Sequence, residues 1–112
     1  MNQSGPQEPQ GQELEHLTQL FKVLGDPSRM RILFQISSSE SCVSEVASKL
    51  NMTESAVSHH FHILRMNGLV SRRRIGKNIC YIINDDHICS IISQGCKYIE
   101  ESFRVNRDGY MG

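Results

Sequence analysis

From Gln12 to Leu24 the apolar residues Leu14, Leu17, Leu20, Phe21 and Leu24 return every three or four positions, the period of a helix with one face turned to a core. Gly25 ends that stretch. Asp26-Pro27 then reads as an N-cap followed by proline in the first helical position. Met30, Ile32, Leu33, Phe34 and Ile36 carry this second helix to the serine run Ser37 to Ser39. Val43 to Leu50 predicts a short third helix, Asn51-Met52 a turn, and Thr53 the N-cap of a fourth helix. On that fourth helix Val57, Phe61 and Leu64 form the apolar stripe, and Gly68 closes it as a C-cap. The period then changes. Through "LVSRRRIGKNICYII" the apolar positions Leu69, Val70, Ile75, Ile79, Tyr81 and Ile83 alternate on either side of Gly76-Lys77, which predicts a β-hairpin with a glycine at its tip. Asp85 is expected to cap a last helix through about Phe103, with Ile88, Ile91, Ile92 and Ile99 on its apolar face.

The two ends lack such patterns. Residues 1–11, "MNQSGPQEPQG", form a polar arm expected to be disordered, and residues 104–112 a flexible tail. Between them, residues 12–103 predict one domain, mostly α with a small β-hairpin, in which two short helices joined by a tight turn precede the hairpin. That order is a winged helix-turn-helix. A chain of 112 residues can bury a core that stands alone but gains from dimerisation. No apolar run nears the ~18 residues of a membrane span and no signal-peptide pattern is present, so a cytoplasmic protein with no membrane partner is expected.

Charge adds a direction to this outline. Lys plus Arg and Asp plus Glu are each 12, so the net charge is silent about partners. Its distribution is not. Between Thr53 and Lys77 lie Arg65, Arg72, Arg73, Arg74 and Lys77 against Glu54, an excess of four positive charges on a neutral chain. Such a patch suits a polyanion met at one face. The second helix of a helix-turn-helix enters the major groove, and its exposed residues meet base edges. Thr53, Ser55, Ser58, His59 and His62 are short or medium donors and acceptors able to do this, while Arg72, Arg73, Arg74 and Lys77 suit phosphates or the minor groove. Double-stranded DNA is therefore the expected partner. A winged-helix module that binds an acidic protein through Arg72 to Arg74 is the alternative from another class. Only the first loses affinity steeply with salt through counterion release.

The histidines of "SHHFH" do not make a metal site or an enzyme. At about 100° per residue, His60 falls at the edge of the apolar stripe, while His59 and His62 fall on the far side with Ser55, Ser58 and Met66. The three rings cannot converge on one ion, and no acid or thiol on this helix completes a set. No paired carboxylate or oriented nucleophile stands beside His59 or His62, so a hydrolase is not supported. The four cysteines, Cys42, Cys80, Cys89 and Cys96, are irregularly spaced and read as small buried residues rather than a disulfide framework.

The stretches "LFKVLGDPSRMRIL" and "SEVASKLNMTESAVSHHFHILRMNGLVSRRRIGKNICYII", with the following Asp-x-His, resemble the ArsR/SmtB family of small bacterial winged-helix repressors. The most specific phrase is Ser-x-Val-Ser-x-His, Ser55 to His60, leading into Leu64-Arg65 and Gly68-Leu69-Val70. The resemblance covers about Leu17 to Glu101. It implies a homodimer formed by the first and last helices, bound to a DNA operator and released by metal binding or, in some branches, by thiol oxidation.

It also implies two places for a signal to enter. The first, at the start of the third helix, takes a Cys-x-Cys pair; here Cys42 is followed by Ser44 in the second position, and one thiolate does not form a soft-metal site. The second lies on the last helix, where this chain offers Asp85 and His87, then Tyr98, then Glu101. His87 and Glu101 are about 21 Å apart along one helix, so only two antiparallel copies of it could bring them to one ion. That mixed oxygen and nitrogen set suits zinc or a similar divalent metal. Tyr98 stands where a stronger ligand is expected, because a phenol keeps its proton at neutral pH. The site holds metal through Asp85, His87, Glu101 and water, or takes another ion, or serves none. The competing signal is redox chemistry at Cys89 and Cys96, which share the opposite face of the same helix, roughly 170° away. Cys80, inside the hairpin, is expected only to pack.

Overall fold

The apolar stripes close on a single core. Phe61, Ile32, Leu33, Ile36, Leu64, Val23, Val46 and Val57 are each no more than 2% exposed. The computed structural model describes residues 5–107. In chain order its elements are α1 (Gln12–Leu24), α2 (Pro27–Ser37), β1 (Ser41–Cys42), α3 (Val43–Leu50), α4 (Glu54–Met66), β2 (Val70–Ile75), β3 (Asn78–Ile83) and α5 (Asp86–Arg107). The arrangement is a winged helix-turn-helix: α3 and α4 form the helix pair, and β2 and β3 form the wing.

The helix ends follow from local chemistry. The Asp26 carboxylate accepts from the Arg29 N–H at 3.0 Å, and Pro27 occupies the first helical position, where its missing N–H costs nothing. Asn51 adopts a left-handed conformation, φ 57°, which turns the chain sharply between α3 and α4. At the far end of α4, Gly68 (φ 78°) donates to the Arg65 carbonyl and Leu69 to the Leu64 carbonyl, both at 3.0 Å. That pair of bonds is a Schellman cap, and it delivers Leu69 and Val70 into the core at the root of the wing.

The sheet has one strand more than the sequence predicts. β1 pairs antiparallel with β3, giving the order β1-β3-β2 and leaving β3 in the middle. Two residues are too short for any periodicity to reveal. The wing itself has Ile75 opposite Asn78 across Gly76-Lys77, with Gly76 at φ 62° as a two-residue hairpin turn requires. α5 continues to Arg107, past the expected end at Phe103, so the expected flexible tail begins as helix. The rest of that tail, residues 108–112, and residues 1–4 of the expected arm lie outside the described residues; residues 5–10 of the arm carry no helix or strand. No helix among the described residues is long and apolar enough to cross a membrane.

Candidate nucleic-acid interface

The recognition face is assembled from α4 and the wing. Thr53 caps α4, its Oγ1 accepting from the Ala56 N–H at 3.0 Å, so this residue is committed first to the helix start. Behind the face, Val57, Phe61 and Leu64 lock α4 into the core. Ser55, Ser58, His59 and His62 are all exposed on the other side, as is Met66.

Strand parity sorts the three wing arginines. Residues directly opposite in an antiparallel pair share a face. Arg72 faces Tyr81 and Arg74 faces Ile79, whereas Arg73 faces Cys80. The Tyr81 ring stacks on Phe61 of α4, with centroids 3.9 Å apart and planes within 3°. Arg72 and Arg74 therefore lie on the side of the wing that looks toward α4. Ser58, His62 and Arg65 of α4 and Arg72, Lys77 and Asn78 of the wing line one groove of about 430 Å³. Ser55 and His59 lie along the same helix outside that groove, and Arg74 is exposed on the wing.

Arg73 departs from the expectation of a phosphate contact. Its guanidinium donates twice to Glu40, through Nε at 2.7 Å and Nη2 at 2.8 Å. The Arg73 fork beside it holds the Glu40 carboxyl below its ordinary range, and Glu40 in turn pushes Arg73 up. Arg73 thus braces the wing from its outer face. Asn84 braces it from below. Its Nδ2 donates to the Gly68 carbonyl at 2.9 Å, its N–H donates to the Leu69 carbonyl at 3.0 Å, and its Oδ1 accepts from Ser71. Arg65 shows in the sequence only as one charge of the basic stretch. Ser44, Asn78 and the brace at Asn84 carry no signal there as contacts, because only the fold brings them to α4 and the wing.

His60, at the edge of the apolar stripe, is a half-buried, hydrogen-bonded ring. Arg29 Nη1 lies 3.5 Å from His60 Nδ1, and Arg29 Nε donates to the Val23 carbonyl at 3.0 Å. A guanidinium can only donate, so Nδ1 accepts and the ring is neutral. Burial holds His60 below its ordinary value of 6.5, with Arg29 and His59 adding to the effect and Asp26 opposing it. A histidine depressed in the fold takes up its proton more readily when unfolded, so stability falls as pH drops below about 6.5. The Asp26 carboxyl, lowered mainly by the Arg29 N–H it accepts, loses its contribution only below about 3.8. Between pH ~7.5 and ~5.5 the thermal midpoint should therefore fall, and His60→Gln should shrink that fall. An identical fall in both proteins would contradict the role given to His60.

Just before α5, Asp85 accepts from the His87 N–H at 2.7 Å, and the same oxygen lies 2.5 Å from His87 Nδ1. These two hydrogen bonds, the backbone one first, hold the Asp85 carboxyl below its ordinary range. Tyr98 is 70% exposed and Glu101 is exposed, both within about 40° of His87 around the helix. No three His, Cys, Asp or Glu side chains converge among the described residues. That is as the helix length demands for one chain.

The cysteines divide into two pairs. Cys89 is partly buried and Cys96 exposed, and both line a groove of about 350 Å³ between α2 and α5. Seven residues of helix, about 10.5 Å of rise, keep them from bonding within one chain. Cys42 and Cys80, expected to be packing residues only, instead form a disulfide. The cause is β1: its pairing sets Cys42 directly opposite Cys80, 38 residues away.

The chain matches known proteins along the segments that build this face. Residues 26–72 match the family described as "Bacterial regulatory protein, arsR family". Over 80% of this chain and 68% of the relative, it is 34% identical to the transcriptional repressor SmtB homolog of Synechocystis sp.. It is 29% identical to the cadmium resistance transcriptional regulatory protein CadC homolog of Staphylococcus aureus, over 70% of this chain and 65% of that one. Among solved structures, the AntR antimony-specific transcriptional repressor superposes with a TM-score of 0.76 at 30% identity, covering 85% of this chain and 86% of that one. With its helix pair, its wing and a groove of polar and cationic side chains between them, the chain belongs to the arsR family of DNA-binding transcription regulators, which are not enzymes.

Proposed function

We propose that the chain is a homodimeric repressor that holds its operator in the metal-free form and releases it when a divalent metal such as zinc binds on α5. The observation that carries the metal reading is the placement of the donors. Asp85 and His87 already face each other at the start of α5, and Tyr98 and Glu101 share that uncovered side further along. Asp85 Oδ1 and His87 Nδ1 converge on one point, so both can reach a single ion there once it displaces the proton between them. In an antiparallel dimer the partner subunit's Glu101 and the partner subunit's Tyr98 would complete the set. Oxygen and nitrogen donors fit a borderline ion such as zinc, and a bound ion there would tie the two copies of α5 together.

The dimer reading rests on apolar surface. Leu14, Leu17 and Phe21 of α1 and Ile99 and Phe103 of α5 are 39–57% exposed, an uncovered strip on the two helices the resemblance assigns to dimerisation. Thr53, Ser55, Ser58, His59, His62, Arg72, Arg74 and Lys77 are the proposed DNA contacts.

Titrating the protein, bound to a labelled duplex of its own upstream region, with zinc, nickel, cadmium, copper(I) and peroxide tests this reading. Zinc should release the duplex with one ion bound per protomer. His87→Ala should bind the duplex as before and fail to let go. A metal response that survives in His87→Ala would place the sensing site elsewhere.

A further inference from the structure

The Cys42–Cys80 bond lies at the joint between the two parts of the groove. Cys42 ends β1 and is the residue at the N-terminus of α3, the first helix of the helix-turn-helix. Cys80 sits in β3, the central strand of the sheet, beside Tyr81, which stacks on the recognition helix. The bond thus fastens the helix pair to the wing. Other ties between β1 and the wing are slight: a two-residue strand pairing, and the Glu40–Arg73 ion pair, whose arginine side chain is 68% exposed.

We propose that Cys42–Cys80 is a reversible thiol–disulfide switch that sets affinity for DNA, with the bonded form the tighter binder. This rests on the reading of α4 and the wing as the DNA-binding face. The bonded form is the one in which Ser58 and His62 of α4 share a groove with Arg72 and Lys77 of the wing. Opening the bond leaves β1 and the start of α3 held to the wing only by that strand pairing and that ion pair, and the freedom gained must be surrendered again on the duplex. A protein that works on DNA works among reducing thiols, where disulfides form transiently and as sensors rather than as staples.

Exposure fixes the order of events. Cys80 is 0% exposed, whereas Cys42 is partly exposed. A thiolate of a dithiol reductant attacks Sγ of Cys42; the disulfide breaks, and Cys80 leaves as a thiolate and takes a proton. The reductant's second thiol then displaces Cys42, which leaves as a thiol, and the reductant ends as a disulfide. Two electrons and two protons have passed to the protein. In the reverse direction a hydroperoxide oxidises the Cys42 thiolate to a sulfenic acid, releasing water or an alcohol. The Cys80 thiol displaces water from that sulfur and restores the bond.

The test uses the full chain carrying Cys89→Ser and Cys96→Ser, which removes the other two thiols. Thiols alkylated by maleimide under denaturing conditions are counted by mass after peroxide and after dithiothreitol. Affinity is measured by anisotropy with a labelled duplex of the upstream region and a random duplex of equal length. Peroxide should leave no reactive thiol. Dithiothreitol should expose both and weaken binding to both duplexes about three- to tenfold, the size expected when one element must be ordered on binding. Peroxide should then restore affinity, though not in a chain that also carries Cys42→Ser and Cys80→Ser. Equal affinity in the two redox states, or thiols that stay reactive after peroxide, would overturn the switch. Loss of DNA binding in both states strikes the reading of the groove itself, and the switch falls with it.

Discussion

Replacing Arg72, Arg74 and Lys77 together by alanine is expected to weaken binding to every duplex by about a thousandfold. Each charge-assisted contact to a phosphate contributes about 1.5 kcal/mol or more, and about 1.4 kcal/mol corresponds to a factor of ten. Each contact also releases counterions. The slope of log affinity against log salt should therefore fall by about 0.9 for each of the three lost contacts. All three side chains are exposed, and two of them line the groove opposite Ser58 and His62, so their removal leaves the core intact. His59→Ala is the contrasting change. It lies on the helix that meets base edges, so it should erode discrimination between the operator and random DNA more than it lowers overall affinity. A His59→Ala loss equal on both duplexes would contradict this division of labour, as would a salt slope left unchanged by the triple substitution.

Phe61→Ala should destabilise the fold by about 3–5 kcal/mol, the range for removing a large aromatic from a core. Phe61 is 0% exposed and stacks on Tyr81, so the loss includes both buried area and the contact that seats the wing on the recognition helix. For a domain of this size the thermal midpoint should drop by more than about 12 °C. Phe61→Leu refills most of the space and should recover much of the loss. Thermal unfolding followed by far-UV circular dichroism makes the comparison. A cost for Phe61→Ala near that of an exposed substitution would show that the ring does not join helix to wing.

Legibility in the sequence followed length and locality. α2 was readable because Asp26, Pro27 and the stripe of Ile32, Leu33 and Ile36 lie within one short stretch and act on one another there. α4 was readable for the same reason, from the Thr53 cap to the Gly68 turn. The wing showed as alternation around Gly76-Lys77. β1 did not show, because two residues carry no period and are defined only by their partner strand. The ion pair of Arg73 is hidden from the sequence for a related reason. Three consecutive arginines look alike in sequence, and only the pairing register turns the middle one away from the groove toward Glu40.

By itself the sequence determined the order of helices and strands, the core stripe of α4, its polar outer face and the basic approach to the wing. All of these arise from interactions between residues a few positions apart, so a local pattern is enough to specify them. The tertiary structure alone decided which cations face the groove, that Glu40 holds Arg73, that Asn84 ties the wing to the end of α4, and that Cys42 meets Cys80. The last three join residues from 16 to 38 positions apart, which become neighbours only once the chain has folded.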